Sequence, residues 1–346
     1  MPITFANPYR GTGLALDAPM PCDDASGVAA LLRRCPAHAE TPLLALSAVA
    51  KAAGVAEVYA KDERERMGLG SFKALGAAHA IAREAAAAGG DIATALSGCT
   101  YVTASAGNHG LSVAAGAALF GAQAVVYLSK TVPAAFAERL KDKGARVVIE
   151  GDDYEASMTA AAQAAKENGW TLLSDSSWPG YMDLPYRVME GYLMLAEETV
   201  AQMPAPPTHI LLQAGVGGLA AAAAALFRAK WAELPHIIVV EPDAAPALVE
   251  SVKNGRVVDT TGPVSAMGRL DCKTPSMIAL NGLSRDADTF ATITEDEAAQ
   301  GITALAAMGV ATSPSGGAGL AALLAGLELG PDARVLAILS EGPADD

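Results

Sequence analysis

Short β-branched runs alternate with longer alanine-rich stretches along almost the whole chain, and this alternation restricts the possible folds more than any other feature. The runs Glu57–Lys61, Tyr101–Ala104, Ala124–Leu128, Arg146–Glu150, Thr171–Leu173, His209–Gln213, Ile237–Glu241 and Val335–Leu339 predict strands. Between them, Ser71–Ala88, Asn108–Phe120, Pro133–Lys143, Asp153–Asn168, Leu184–Met203, Leu219–Lys230, Glu295–Met308 and Gly317–Leu327 predict helices. Local punctuation agrees: Pro133 suits a first helical turn, and Gly121, Gly144 and Gly169 stand where left-handed helix caps are needed. A strand that feeds a helix and then another strand brings the second strand back parallel to the first. The expected class is therefore α/β, with open, mostly parallel sheets covered by helices.

At 346 residues the chain can form one large or two moderate domains, and its 51% hydrophobic content excludes a disordered chain. A net charge of -14 argues against nucleic-acid or anionic-membrane partners, which need a basic face. Cys22, Cys35, Cys99 and Cys272 have neither CxxC nor metal-ligand spacing, the pattern of reduced thiols in a cytoplasmic protein, and no metal site is expected. The first residues lack a basic region followed by an apolar run, so no signal peptide is indicated. Ile210–Phe227 is uncharged over 18 residues. Gln213, Gly215, Gly217 and Gly218 near its start suit a strand, a turn and a helix better than the ~20 continuous apolar residues of a membrane span.

Three joints carry chemistry. In Gly70-Ser71-Phe72-Lys73 a lysine opens an apolar helix. An isolated lysine is ordinarily a solvated surface residue, but partial burial and the positive helix end would lower this amine's pKa, as a Schiff-base lysine requires. In Thr103-Ala104-Ser105-Ala106-Gly107-Asn108-His109-Gly110 a strand turns into a helix. Its backbone N–H groups could take an anion, Ser105 adds a hydroxyl, and Asn108 could bond a phenolate-like ring oxygen; the plainer alternative is a helix cap. In Gln213-Ala214-Gly215-Val216-Gly217-Gly218-Leu219 a strand again meets a helix through glycines, which let backbone approach a phosphate. No Gly-Lys-Ser/Thr follows, and Ala220 occupies the last position of a dinucleotide fingerprint, so a single phosphate is the better reading. Lysine, ring-oxygen partner and phosphate loop together describe a pyridoxal 5'-phosphate site.

These joints, with Lys61-Asp62-Glu63, Asp175-Ser176-Ser177-Trp178-Pro179-Gly180-Tyr181, Val239-Val240-Glu241-Pro242 and Ser340-Glu341-Gly342, carry a family likeness. From about Thr41 onward the chain resembles the fold type II, tryptophan-synthase β-like, pyridoxal-phosphate enzymes, and within them it is most similar to the 2,3-diaminopropionate ammonia-lyases. The resemblance implies a cofactor in an interdomain cleft. A smaller domain (56–180) would hold the lysine and the Asn108 turn, and a larger one (1–55 and 181–346) the phosphate loop. It further implies that Lys73 is the Schiff-base lysine, with Phe72 beside it, and that Asn108 partners the ring oxygen. Gly215, Val216, Gly217, Gly218 and Leu219 would hold the phosphate, with Ser340 at the pyridine nitrogen. Ser105, Ala106, Gly107, Asn108 and His109 would seat the substrate, and Asp175 would join Lys73 as acid/base. His109 is expected to pack or hydrogen-bond rather than catalyse.

The implied reaction is α,β-elimination on a small amino acid, the L-isomer favoured, giving a 2-oxo acid and ammonia in a cytoplasmic homodimer. The alternative is a serine-, threonine- or 3-hydroxyaspartate-type dehydratase of the same fold. Two departures bear on this. Ala106 stands where the ammonia-lyase pattern has an aspartate serving the D-substrate. Cys272 matches a family cysteine, yet the partner region near Thr292 has none, so no disulfide is expected there.

Overall fold

The strands pair into two sheets, one of seven strands and one of four, in a computed structural model that describes all residues except 36, 106, 131, 133 and 344–346. The chain begins with β1 (Ile3–Ala6), α1 (Ser26–Leu32), β2 (Leu43–Ala45), α2 (Ser47–Ala53) and β3 (Glu57–Asp62). A 3-10 turn at Arg66–Gly68 then leads to α3 (Lys73–Ala88). Next come β4 (Thr100–Ala104), α4 (Asn108–Leu119), β5 (Gln123–Leu128), α5 (Ala134–Asp142), β6 (Arg146–Ile149), α6 (Tyr154–Asn168) and β7 (Thr171–Leu172). The rest is α7 (Asp183–Gln202), β8 (His209–Gln213), α8 (Gly218–Trp231), β9 (His236–Pro242), α9 (Ala247–Asn254) and α10 (Met277–Asp286), followed by β10 (Thr289–Ile293), α11 (Glu295–Ala307), α12 (Ala318–Leu324) and β11 (Arg334–Leu339).

The larger sheet has the order β1-β10-β9-β8-β11-β3-β2, and the smaller β6-β5-β4-β7. Among the described residues, only the edge strands β1 and β2 of this sheet pair antiparallel; its interior is parallel, as alternation with helices requires. In β11, Val335–Leu339 is buried throughout, with Ala337 opposite both Ala60 and Leu211. That register brings Ser340, Glu341 and the end of β8 to one edge, the carboxyl ends of the strands, where open α/β sheets build their sites. The expected smaller domain, 56–180, includes β3, which hydrogen-bonds between β11 and β2 of the larger sheet, so sheet membership and that division do not coincide.

Helix α3 packs on both α7 and α4. A Cβ on Gly76 would lie 2.6 Å from the Tyr192 ring and 2.8 Å from Val188, and one on Gly191 would meet the Leu75 carbonyl, so the α3–α7 joint requires glycine on both sides. The uncharged stretch 210–227 resolves into the end of a buried strand, a turn and a buried helix. No helix among the described residues is long and apolar enough to cross a membrane. Pro133, expected at a helix start, and Ala106 of the expected substrate turn lie outside the described residues.

Candidate active site

Lys73 is the first residue of α3 and is held from behind by the last strand. Phe72 N–H donates to the Ser340 carbonyl at 3.1 Å, and Ser71 forms an antiparallel bridge with Glu341. The Phe72 ring meets Tyr192 edge-on at 4.9 Å, with Lys73 Nζ 5.2 Å from the Phe72 centroid. Lys73 Nζ donates to Asp175 Oδ2, and the two side chains are 20% and 18% exposed, open to the cleft but shielded. Burial alone would pull the amine's pKa down. The Asp175 carboxylate and the Tyr192 phenol outweigh it, so the Lys73 amine stands above its ordinary value, the reverse of the sequence expectation. Burial likewise works to raise the Asp175 carboxyl, but Lys73 and His109 hold it well below the usual carboxylate range. His109 is buried, with Nε2 at 2.8 Å from the Leu173 carbonyl, and burial keeps its pKa below the ordinary imidazole value.

The second joint forms the turn into α4. Ser105 Oγ accepts from Gly107 N–H at 3.2 Å, so it braces the turn, and no side chain caps the helix. Asn108 Nδ2 donates to Glu341 Oε2, while Ser313 Oγ donates to Glu341 Oε1. Glu341's own carbonyl accepts from Thr312 Oγ1 at 2.7 Å, and a Cβ on Gly316 would collide with that carbonyl at 2.6 Å.

The third joint is the glycine loop before α8. Gly217 has φ 95° in the left-handed region and no side chain caps the helix, so the leading N–H groups of α8 are left for a ligand. A Cβ on Gly215 would stand 2.9 Å from Cys272 Sγ and 3.0 Å from the Arg269 carbonyl, and one on Gly218 would be 3.9 Å from the Asp175 carbonyl. Val216 accepts from Ser276 N–H at 3.0 Å, and the Leu219 side chain is buried in the core, so only its backbone can serve a ligand. Ser340 Oγ accepts from Gln213 Nε2 at 3.1 Å, which ties the pyridine-nitrogen candidate to the strand that ends in the loop. Cys272 is a free thiol packed on Gly215, and burial, with the nearby Asp175 charge, pushes it up to about 12.

These contacts close on themselves. Lys73 meets Asp175, Asp175 lies beside Gly218, Gly215 packs on Cys272 and Arg269, Arg269 covers Gly107, and Asn108 returns through Glu341 to Ser71. An amine, an uncapped helix end cradled by glycines and a buried hydroxyl on one rim fit pyridoxal phosphate. Among the described residues no group of three or more His, Cys, Asp or Glu could hold a metal.

Three residues at this rim were given no role by the sequence. Glu341 lies within the Ser340-Glu341-Gly342 motif, and an acid two residues past the buried run Val335–Leu339 is the signal that marks it. Tyr154, 51% exposed, begins α6 behind Asp153, which caps that helix through Ala156 N–H. The Asp175 charge reaches its phenol, which stands half open to solvent at the mouth of the cleft. Arg269 belongs to a loop with no local signature.

Comparison with known proteins bears on this geometry. The family described as pyridoxal-phosphate dependent enzyme matches residues 35–341. The chain belongs to that family. Among curated relatives of this pyridoxal-phosphate enzyme, diaminopropionate ammonia-lyase of Salmonella typhimurium is 33% identical over 319 residues, covering 86% of this chain and 79% of that one. A human serine dehydratase-like protein is 28% identical, covering 84% of each chain. Among solved structures, Escherichia coli diaminopropionate ammonia lyase in complex with an aminoacrylate-PLP azomethine reaction intermediate superposes with a TM-score of 0.88. It is 29% identical over 99% of this chain and 94% of that one. The pyridoxal-phosphate enzyme thus has the fold type II architecture, and its cofactor is pyridoxal phosphate.

Proposed function

We propose that the protein is an ammonia-lyase that eliminates the β-amine of L-2,3-diaminopropionate, releasing a 2-oxo acid and ammonia. The observation that carries this reading is the Lys73–Asp175 pair inside the closed rim. Lys73 would hold the cofactor, Asn108 its ring oxygen, Gly215–Leu219 its phosphate and Ser340 its pyridine nitrogen. When bound, the cofactor supplies the electron sink that stabilises charge at Cα.

The chain's own residues do the rest. The Ser105–His109 turn seats the substrate carboxylate. At neutral pH the pair keeps its proton on Lys73 Nζ and leaves Asp175 Oδ2 as an acceptor, an acid and a base set side by side at one carbon. Ala106, standing where the ammonia-lyase pattern has the aspartate that serves the D-substrate, supports the L-isomer. Cys272, neutral and packed on Gly215, helps exclude water. The neutral Ala106 also supports a second reading, a dehydratase of hydroxy amino acids. We place the enzyme in the cytoplasm, supported by its four free cysteines, and, on the family resemblance, as a homodimer.

The test is release of oxo acid and ammonia by the cofactor-loaded protein. Two ammonia per oxo acid from L-2,3-diaminopropionate is expected; one per oxo acid from serine or threonine, with the diamine inert, would establish the dehydratase instead. Lys73→Ala should abolish the absorbance of lysine-bound cofactor, and retained absorbance with turnover would sink the assignment.

A further inference from the structure

Gln213 ends β8 in the buried core, and one nitrogen of its amide serves three acceptors. Nε2 lies 2.9 Å from the Gly316 carbonyl, 2.9 Å from the Ile338 carbonyl and 3.1 Å from Ser340 Oγ. Two carbonyl oxygens so close fix which way the amide faces, because turning it over would set oxygen against oxygen. Gln213 Oε1 has no hydrogen-bond partner among the described residues and stands 3.3 Å from the point a Cβ on Gly319 would occupy. A buried polar atom left so is costly, and its position calls for a reason.

The reason lies at Ser340. Its hydroxyl is buried, with one proton to give and two lone pairs to offer. An amide nitrogen accepts nothing and Oε1 has no partner, so the serine proton does not go to Gln213. The Gly316 carbonyl, which accepts from Ser340 N–H at 3.1 Å, is the acceptor a freely turning hydroxyl would have at hand. Gln213 donates to that carbonyl as well and shows the hydroxyl only a donor. We propose that Gln213 is a positioning residue: its amide fills the acceptor side of Ser340 and leaves the serine proton for the ring nitrogen of the cofactor. This rests on Ser340 standing at that nitrogen, as in the proposed function.

The experiment is the magnetic resonance of pyridoxal phosphate labelled with nitrogen-15 in its ring and bound to the protein. In the native protein the resonance should lie between the values of free pyridine and of pyridinium, where a nitrogen that accepts a hydrogen bond falls. Ser340→Ala should return it to the free-pyridine value, and Gln213→Met should carry it at least half of that way. Added to Ser340→Ala, the Gln213→Met change should move it no further, a coupling that a merely structural glutamine would not show. The bound cofactor's absorbance checks that each variant folds and loads. Should Gln213→Met fail to load, Gln213→Glu has the same shape and makes the same test, since a carboxyl brings at most one proton where the amide brings two. A native resonance at the pyridinium or the free-pyridine value overturns the proposal whatever the variants do. So does a native-like value in a loaded Gln213 variant, or a further shift in the double variant. If Ser340→Ala moves the resonance and the Gln213 variants do not, only this proposal fails; if Ser340→Ala leaves it in place, Ser340 is not at the nitrogen and both fail. No elimination is read, so a failed diamine assay leaves the result standing.

Discussion

Between Lys73 and Asp175 the chain holds an ion pair whose partners each oppose the pull of burial on the other. Asp175→Asn removes the charge that keeps the amine protonated, and burial is then left to lower its pKa. Turnover of L-2,3-diaminopropionate should drop by about 10²–10⁴-fold, the range for a lost acid or base, while the cofactor spectrum persists. An unaffected kcat would remove Asp175 from the mechanism. That Lys73, Asn108 and Gly215–Gly218 stand at strand–helix joints was legible in the sequence, because each combines a chemical group with turn punctuation. The direction of the Lys73 shift was not legible, because it depends on a carboxylate 102 positions away. Arg269 and Tyr154 were hidden for the same reason: they reach the cleft only through tertiary packing.

At the scale of elements, most buried strands and alanine-rich helices announced themselves, whereas β1, β2, α1 and α2 are short and lie partly at the surface, and the buried β10 and α10 were not expected. Helix α9 was missed although its cap is built by a residue of β9. Glu241 Oε1 and Oε2 accept from the N–H groups of Leu248 and Val249, each at 2.8 Å. Burial nevertheless pushes the Glu241 carboxyl up to about 8, against those two donors. An acid raised on folding keeps its proton in the folded chain where the unfolded chain has lost it. Stability should therefore fall as pH rises from the ordinary 4.5 to about 8, and level off above. Thermal unfolding across that window should show the decline. In Glu241→Gln the decline should flatten, at the cost of a weaker cap, and an identical pH profile in both proteins would show that this carboxyl titrates normally.

Across the whole molecule, a second charged cluster lies away from the cleft. Glu198 on α7 accepts from Lys61 on β3 and from Arg66, each at 2.6 Å, and Arg66 also binds Glu63 and the Thr41 hydroxyl. Lys61 and Arg66 are fully buried, so the cluster locks the strap at 39–41, β3 and α7 together. Glu198→Ala would leave Lys61 without a carboxylate and Arg66 with Glu63 alone, and should cost about 3–5 kcal/mol in denaturant unfolding, with a loss below 1 kcal/mol meaning that water reaches Lys61. The glycine joint between α3 and α7 extends that rigid region to Lys73, and α4 belongs to it too, because α3 packs on α4 and Ser112 Oγ donates to the Lys73 carbonyl at 2.7 Å. A cofactor tethered at Lys73 would therefore rest on a frame that keeps the amine and the Asn108 turn at a fixed spacing through each turnover.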